Sequence, residues 1–156
     1  MFLFFTNNTF AQEGFQFETK SDKVVIPFQL INNLIFIPIH VNGVELNFLL
    51  DTGVQTTIMF SLEDKNVNIN NIEKIKLSGL GSDRPIDGLK SKDNILSVNG
   101  LVDSHHEMYI ILNESFNFSS HVGIPVNGII GFHFFEENLI EINYIKKKII
   151  VYKDFS

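Results

Sequence analysis

The triplet Asp51-Thr52-Gly53 is the segment of the sequence whose residue types could most directly do chemistry. An apolar run, 48–50, leads straight into the carboxylate, and a second apolar run, 58–60, follows it. A carboxylate at the end of a buried strand is costly unless it is paired, hydrogen-bonded or protonated. Gly53 allows the backbone to turn where a side chain would obstruct it. Taken alone, the triplet fits an acid–base group and a turn-capping Asp about equally well.

A second glycine motif lies near the C-terminus. Gly128-Ile129-Ile130-Gly131 places two branched apolar residues before a glycine, and a segment with helical character follows over 133–138. By itself this pattern is also typical of a strand that ends at a glycine. Between the two motifs lies a run rich in turn-forming residues, Gly79-Leu80-Gly81-Ser82. Alone, that run fits a plain surface loop.

The rest of the chain predicts many short strands. Sixteen Phe residues and numerous Ile and Val residues suit the pleated surface of a sheet. Asn42-Gly43 and Asn99-Gly100 are strong hairpin signals, because both residue types tolerate a positive φ. Short strands separated by turn residues indicate an all-β barrel or sandwich. The predicted strands cover 24–26, 34–41, 46–50, 57–60, 75–77, 95–98, 108–112, 126–130, 139–144 and 148–152.

Composition and charge narrow the classes of function. The 156 residues are 44% apolar and 19% charged, which fits one globular domain. The formal net charge of −6 and the lack of a basic stripe argue against a nucleic-acid partner. The sequence has no cysteine, so disulfides and thiolate metal sites are excluded. No stretch reaches the roughly 20 apolar residues of a membrane span.

The first eleven residues predict export. The segment 1–5 is apolar, and the small residues Thr9 and Ala11 stand at the positions that a signal peptidase reads. We expect cleavage between Ala11 and Gln12 and a periplasmic or secreted protein. The predicted division of the chain is a truncated signal peptide at 1–11, an N-terminal extension at 12–23 and a single domain at 24–156, and the alternative for 1–11 is an apolar N-terminus without a targeting role.

Other polar clusters are weaker candidates for a site. His105-His106-Glu107 could suggest a metal site, but adjacent residues of a strand point to opposite faces, so a solvated turn is expected. His40, His121 and His133 are scattered along the sequence. Lys146-Lys147-Lys148 predicts a charged turn between two apolar strands. The sequence has no Gly-x-Ser-x-Gly elbow and no phosphate-loop or dinucleotide motif, which disfavours those enzyme classes.

Together and in this order, the glycine motifs resemble those of the retropepsin-like aspartic peptidases. That family has a hydrophobic run into Asp-Thr/Ser-Gly, then a glycine-bearing flap hairpin, then an apolar-apolar-Gly motif before a short helix. The matching pieces here are Phe48 to Gly53, Gly79 to Gly88, and Ile129 to Gly131. The resemblance covers roughly 24–152 and is closest to the bacterial, exported members of the family. It implies an all-β fold, a closed barrel that forms half of an acid protease, with one short C-terminal helix.

The resemblance also implies an endopeptidase that needs no metal or other cofactor. Two carboxylates about 3 Å apart cannot both ionise, so such a pair shares one proton. One member takes a proton from a water held between them, and the other donates its proton to the peptide carbonyl oxygen. Since the sequence holds one such triplet, the resemblance implies a C₂ homodimer that brings Asp51 beside its symmetry mate. Thr52 would then bond across the dimer and hold the two loops together.

The implied substrate is a polypeptide in an extended conformation. Gly79, Leu80, Gly81 and Ser82 would form the flap that clamps it and excludes water. Ile129, Ile130 and Gly131 would support the catalytic loop. One position departs from the family, because Val54 stands where Ala or Ser is usual and so removes a hydroxyl donor. The sequence therefore leaves open a catalytically inactive retropepsin-like module that binds a peptide, and an unrelated barrel with a coincidental triplet.

Overall fold

The computed structural model describes residues 14–62, 65–78, 84–113, 116, 118–136 and 138–153, and the regular structure in these residues is almost entirely β. The strands are β1 (Gln16–Phe17), β2 (Lys23–Pro27), β3 (Gln29–Ile31), β4 (Leu34–Val41), β5 (Val44–Leu50), β6 (Thr57–Met59), β7 (Ile72–Leu77), β8 (Ile86–Val98), β9 (Leu101–Ile111), β10 (Gly128–Ile130), β11 (Leu139–Asn143) and β12 (Lys148–Tyr152). The helices are α1 (Ser119–Val122) and a 3-10 helix at Phe132–Phe134.

Most strands belong to one large sheet whose order is β1-β9-β6-β10-β5-β4-β8-β7, with β3 paired to β4. An additional pairing joins β8 to β9, so the strands β9, β6, β10, β5, β4 and β8 form a ring of pairings. A smaller sheet has the order β11-β12-β2. The prediction of an all-β class is confirmed.

Two hairpins form where the Asn-Gly pairs predict them. Asn42 and Gly43 have φ of 48° and 86°, and Asn99 and Gly100 have φ of 47° and 92°. Positive φ at both central residues gives the turn a twist that matches the flanking strands. These turns join β4 to β5 and β8 to β9. The lysine run also behaves as predicted, because residues 144–147 form the turn between β11 and β12.

Strand β10 occupies the position that matters most for the Asp51 loop. It pairs in parallel with β5, with Ile130 opposite Leu50, and antiparallel with β6, with Gly128 opposite Met59. The chain therefore returns from its C-terminal third to lie between the strand that enters the loop and the strand that leaves it. Because β5 ends at Leu50, Asp51 directly follows a strand that is paired on both sides, with β4 and with β10.

The core contains two groups of buried apolar side chains. The larger includes Ile37, Phe48 and Met59 of the large sheet and also residues of the smaller sheet. The smaller includes Phe36, Phe60, Val126 and Ile129. The N-terminal segment contributes to the larger group, because Phe15 is buried and β1 pairs with β9.

The structure corrects two expectations from the sequence. His105, His106 and Glu107 lie within β9, and not in a solvated turn. The helix expected over 133–138 is instead a 3-10 turn at Phe132–Phe134, and α1 was not predicted. The predicted flap tip (Gly79, Leu80, Gly81, Ser82) and the predicted signal peptide at 1–11 lie outside the described residues. In the part of the chain that is described, no helix is long and apolar enough to cross a membrane.

Candidate active site

The Asp51 loop is built by short hydrogen bonds within the triplet. The backbone N–H of Gly53 donates to Asp51 Oδ1 at 2.8 Å, and the N–H of Val54 donates to the Asp51 carbonyl at 3.2 Å. These bonds form a tight turn directly after β5 and hold the carboxylate in one orientation. Thr52 and Gly53 are exposed, while Asp51 is half-buried. The second carboxylate oxygen therefore remains available to another group.

The Ile129-Ile130-Gly131 motif holds this loop from the opposite side. The N–H of Asp51 donates to the Ile130 carbonyl at 3.0 Å, and the N–H of Phe132 donates to the Val54 carbonyl at 2.8 Å. The loop is thus hydrogen-bonded at its first residue to the end of β10 and at its last residue to Phe132, two positions further on. The sequence-predicted catalytic triplet and the sequence-predicted supporting motif lie in direct contact.

Gly131 is required at this contact because no side chain fits there. A Cβ atom built on Gly131 would overlap the Val54 carbonyl oxygen and lie 2.6 Å from the Val54 carbonyl carbon. The φ of Gly131 is −110°, which any residue can adopt, so the requirement is one of space and not of backbone conformation. The glycine in the second motif therefore exists to let two backbone segments approach each other.

A cavity of about 300 Å³ opens next to the loop. Its walls combine apolar side chains, Ile58, Leu77 and Tyr109, with polar ones. The polar part is supplied by Gln55, Thr56 and Ser78. The cavity lies between the residues that follow the triplet and the end of β7. Its size suits one amino-acid side chain more than a large cofactor.

A polar cluster that the sequence did not predict joins the first residue of β6 to β9. His106 Nδ1 is 2.7 Å from Asp103 Oδ2, and His106 Nε2 is 2.7 Å from Thr57 Oγ1. All three side chains are buried. A cavity of about 430 Å³ is lined by His105, His106 and His133, so His133, which was expected to be scattered, lies near this pair. Among the described residues, no group of three or more His, Cys, Asp or Glu is arranged to hold a metal ion.

The environment of Asp103 has a consequence for stability. Burial alone would raise the pKa of Asp103, but the hydrogen bond and charge of His106, with the His105 backbone N–H, outweigh it and lower the pKa below the ordinary 3.8. The carboxylate therefore stabilises the fold above pH 3.8, and this stabilisation is lost as the pH falls through the lower folded-state pKa.

We expect Asp103→Asn to destabilise the protein by about 2 kcal/mol at pH 6, because His106 loses a charged partner in the interior. The gap to wild type should narrow as the pH falls below 3.8, where Asp103 of the unfolded wild-type chain becomes protonated, and should close as the pH falls through the lower folded-state pKa. Urea denaturation at several pH values measures this gap. Asp87→Asn changes an exposed carboxylate that pairs with Lys76 and is the matched control. A gap that stays constant on acidification would contradict the role given to Asp103.

Comparison with known proteins agrees with this geometry. The family model described as aspartyl protease matches residues 37–134, which include the Asp51 loop, β10 and Gly131. A retrovirus-related Pol polyprotein from transposon 412 of Drosophila melanogaster is 27% identical over 125 residues, or 80% of this chain. The chain spans only 9% of the length of that relative.

A solved structure gives the same fold. The crystal structure of a retropepsin-like aspartic protease from Rickettsia conorii superposes with a TM-score of 0.54 at 12% identity, covering 84% of this chain and 89% of that one. This likeness concerns the fold, and it includes the all-β retropepsin-like architecture that the motifs predicted. Since the family model covers more than half of the chain and includes both motifs, the chain belongs to the retropepsin-like aspartyl protease family.

Proposed function

We propose that this chain is an aspartic endopeptidase that acts as a homodimer, with one Asp51 from each copy forming the catalytic pair. The observation that carries the proposal is the Asp51 loop, whose backbone is tied at both ends to the segment around Gly131. Such tethering keeps the carboxylate within the narrow geometry that acid–base catalysis needs. The loop supplies one carboxylate, so a second copy is needed to complete the pair.

In this mechanism the two carboxylates hold one proton and one water molecule between them. The ionised Asp51 takes a proton from the water as the water oxygen attacks the peptide carbonyl carbon. The protonated Asp51 donates its proton to the carbonyl oxygen, which gives a neutral tetrahedral intermediate. Transfer of a proton to the amide nitrogen then breaks the C–N bond. Gly53 N–H, bonded to Oδ1, stabilises the ionised form of the carboxylate.

Val54 is the position that favours an inactive peptide-binding module, and its surroundings weigh against that alternative. Its branched side chain packs against the smaller apolar group of the core. Its carbonyl keeps the hydrogen bond to Phe132. A valine is therefore accommodated without displacing the loop, so its presence is compatible with a catalytic Asp51.

The substrate we propose is an unfolded or extended polypeptide. The cavity lined by Ile58, Leu77 and Tyr109 would accept one substrate side chain next to the scissile bond. Gly79, Leu80, Gly81 and Ser82, which lie between β7 and β8 in the sequence, would close over the peptide and exclude water. An extended peptide matches such a site because its side chains alternate and can enter separate cavities.

We also propose that the protein is exported, on the basis of the apolar segment 1–5 and the small residues Thr9 and Ala11. N-terminal sequencing of the protein from the envelope or medium of the producing cells should then begin at Gln12. A chain recovered from the cytosol with Met1 intact would contradict export.

The proposed activity is tested by incubating the purified chain with an unfolded protein between about pH 3 and pH 7 and following new N-termini by mass spectrometry. Sedimentation on the same sample measures the mass in solution. We expect cleavage products and a mass of two copies. A chain that stays monomeric at all concentrations and cleaves nothing would contradict the proposal.

Tyr109→Ala should change substrate binding more than the chemical step. The substitution removes an apolar wall of the cavity beside the loop and leaves Asp51 untouched. We expect KM to rise about fivefold to tenfold with kcat within about twofold of wild type, since the lost contact is made in both ground and transition states. Tyr144→Ala, an exposed tyrosine in the β11–β12 turn, is the control. A fivefold to tenfold fall in kcat with unchanged KM would show that Tyr109 does not bind substrate.

A further inference from the structure

The buried polar cluster links the Asp51 loop to the interior of the main sheet. Exposed fractions are 3% for His106, 6% for Asp103 and 0% for Thr57. On one side of the cluster the ring of Phe15 packs with its centroid 6.0 Å from the imidazole. Removing such groups from water is unfavourable unless each polar atom has a partner. The two short contacts of the imidazole provide those partners on both sides.

The hydrogen bonds of the cluster run in a chain from Asp103 through His106 to Thr57. Asp103 uses one oxygen to accept the His105 backbone N–H at 3.1 Å and the other to accept His106 Nδ1–H. On the other side of the ring, His106 Nε2 shares a hydrogen bond with the Thr57 hydroxyl at 2.7 Å. Asp103 therefore orients His106, and His106 in turn holds Thr57. The opposite strand adds one further contact, from Asn94 Nδ2 to the His106 carbonyl.

Thr57 is placed where it can control the loop. It is the first residue of β6, the strand that leaves the Asp51 loop. The backbone pairing of β6 is short, with three residues opposite β9 and two opposite β10. A strand with so few ladder bonds depends more on side-chain contacts for its position. The side-chain bond from Thr57 to His106 therefore fixes the start of β6, three residues beyond the loop, and adds to the Ile130 and Phe132 backbone bonds that hold the loop itself.

We propose that Asp103 and His106 are positioning residues for peptide hydrolysis, and that they act through Thr57 on the loop that carries Asp51. This inference rests on the proposed function of that loop. The order Asp–His–hydroxyl is also that of a nucleophilic triad, but Thr57 is fully buried and has no access to substrate. The cluster acts instead on geometry, because two carboxylates share a proton and a water only when each is placed within a fraction of an ångström.

The kinetic test compares two substitutions of similar shape. Thr57→Val removes the hydroxyl and keeps the branched side chain, whereas Thr57→Ser keeps the hydroxyl. We expect Thr57→Val to lower kcat by about 10-fold to 100-fold, with KM changed by less than about twofold. Thr57→Ser should retain most of the wild-type kcat. Val151→Ala, in the core of the smaller sheet, is the control for loss of stability alone and should leave kcat near wild type.

A second measurement does not depend on catalysis. The Phe132 amide donates to the Val54 carbonyl, so its hydrogen exchange reports whether the loop stays in place. In Thr57→Val this amide should exchange about tenfold faster than in wild type, while Thr57→Ser and Val151→Ala leave it unchanged after correction for global stability. If exchange and kcat of Thr57→Val match those of Val151→Ala, the positioning role is wrong. If the wild-type dimer cleaves no peptide, the proposed function is wrong, and the exchange measurement still decides the role of the cluster.

Discussion

Replacing Asp51 by Asn should lower kcat for peptide hydrolysis by about 10³-fold or more. The amide cannot take a proton from water, and in a homodimer the substitution removes both members of the catalytic pair. The fold should persist, because Asn retains an oxygen that can accept the Gly53 N–H bond. Steady-state kinetics with a peptide substrate measure the fall in kcat, and sedimentation of the variant shows whether the folded dimer persists.

The matched control is Asp22→Asn, which makes the same change of charge at an exposed bend before β2. We expect its kcat to equal that of wild type. If Asp51→Asn keeps more than about a tenth of the wild-type activity, Asp51 is not the acid–base group. If wild type and Asp51→Asn are both inactive but bind a peptide with equal affinity, the inactive peptide-binding module becomes the better description.

Gly131→Ala should be among the most destabilising single substitutions in the chain. The added methyl group would overlap the Val54 carbonyl, and both contacting segments are backbone, so neither can move aside without breaking its hydrogen bonds. Overpacking of this kind costs about 3 kcal/mol or more. Because the displaced segment carries Asp51, any protein that still folds should also lose activity. Chemical denaturation at fixed protein concentration measures the loss of stability.

Gly123→Ala separates steric overlap from backbone strain. Gly123 has φ of 81°, but a Cβ atom built there meets nothing within 4 Å. Its substitution should cost about 1 kcal/mol from backbone strain alone. Gly131 has the opposite combination, with an ordinary φ and no space. If Gly131→Ala lowers the free energy of unfolding by no more than Gly123→Ala does, the loop can move away from β10.

The sequence predicted the parts of the fold that local signals determine. Asn42-Gly43 and Asn99-Gly100 form hairpin turns wherever they stand between apolar runs, because their preference for positive φ is intrinsic. The run into Asp51 was recognisable as a strand end for the same reason, since apolar residues lead to a carboxylate and a glycine. Gly131 was recognised through its family resemblance, and the structure supplies the steric reason.

The burial of His106 could not be predicted, because its partner Thr57 lies 49 positions away in the sequence. Polar residues around it made the segment look solvated, although a buried histidine needs only two well-placed partners. The long strand β8 was missed in part for a related reason. Polar residues interrupt its apolar pattern, and the pairing shifts between Ser91 and Asn94. The extent of such an irregular strand is set by the strands that pair with it, and not by an alternation of apolar and polar residues in its own sequence.

The central claim is that catalysis needs one Asp51 from each of two chains, and mixing wild-type chains with Asp51→Asn chains tests it most directly. The wild-type concentration is held constant, well above the dimer dissociation constant, while the variant is added and subunits are allowed to exchange. With equal amounts, about half of the wild-type chains enter mixed dimers that contain one carboxylate, so the activity should fall to about half. A threefold excess of the variant should lower it to about a quarter. Activity that stays constant at every ratio would show that a single chain carries the complete site, and would contradict the account.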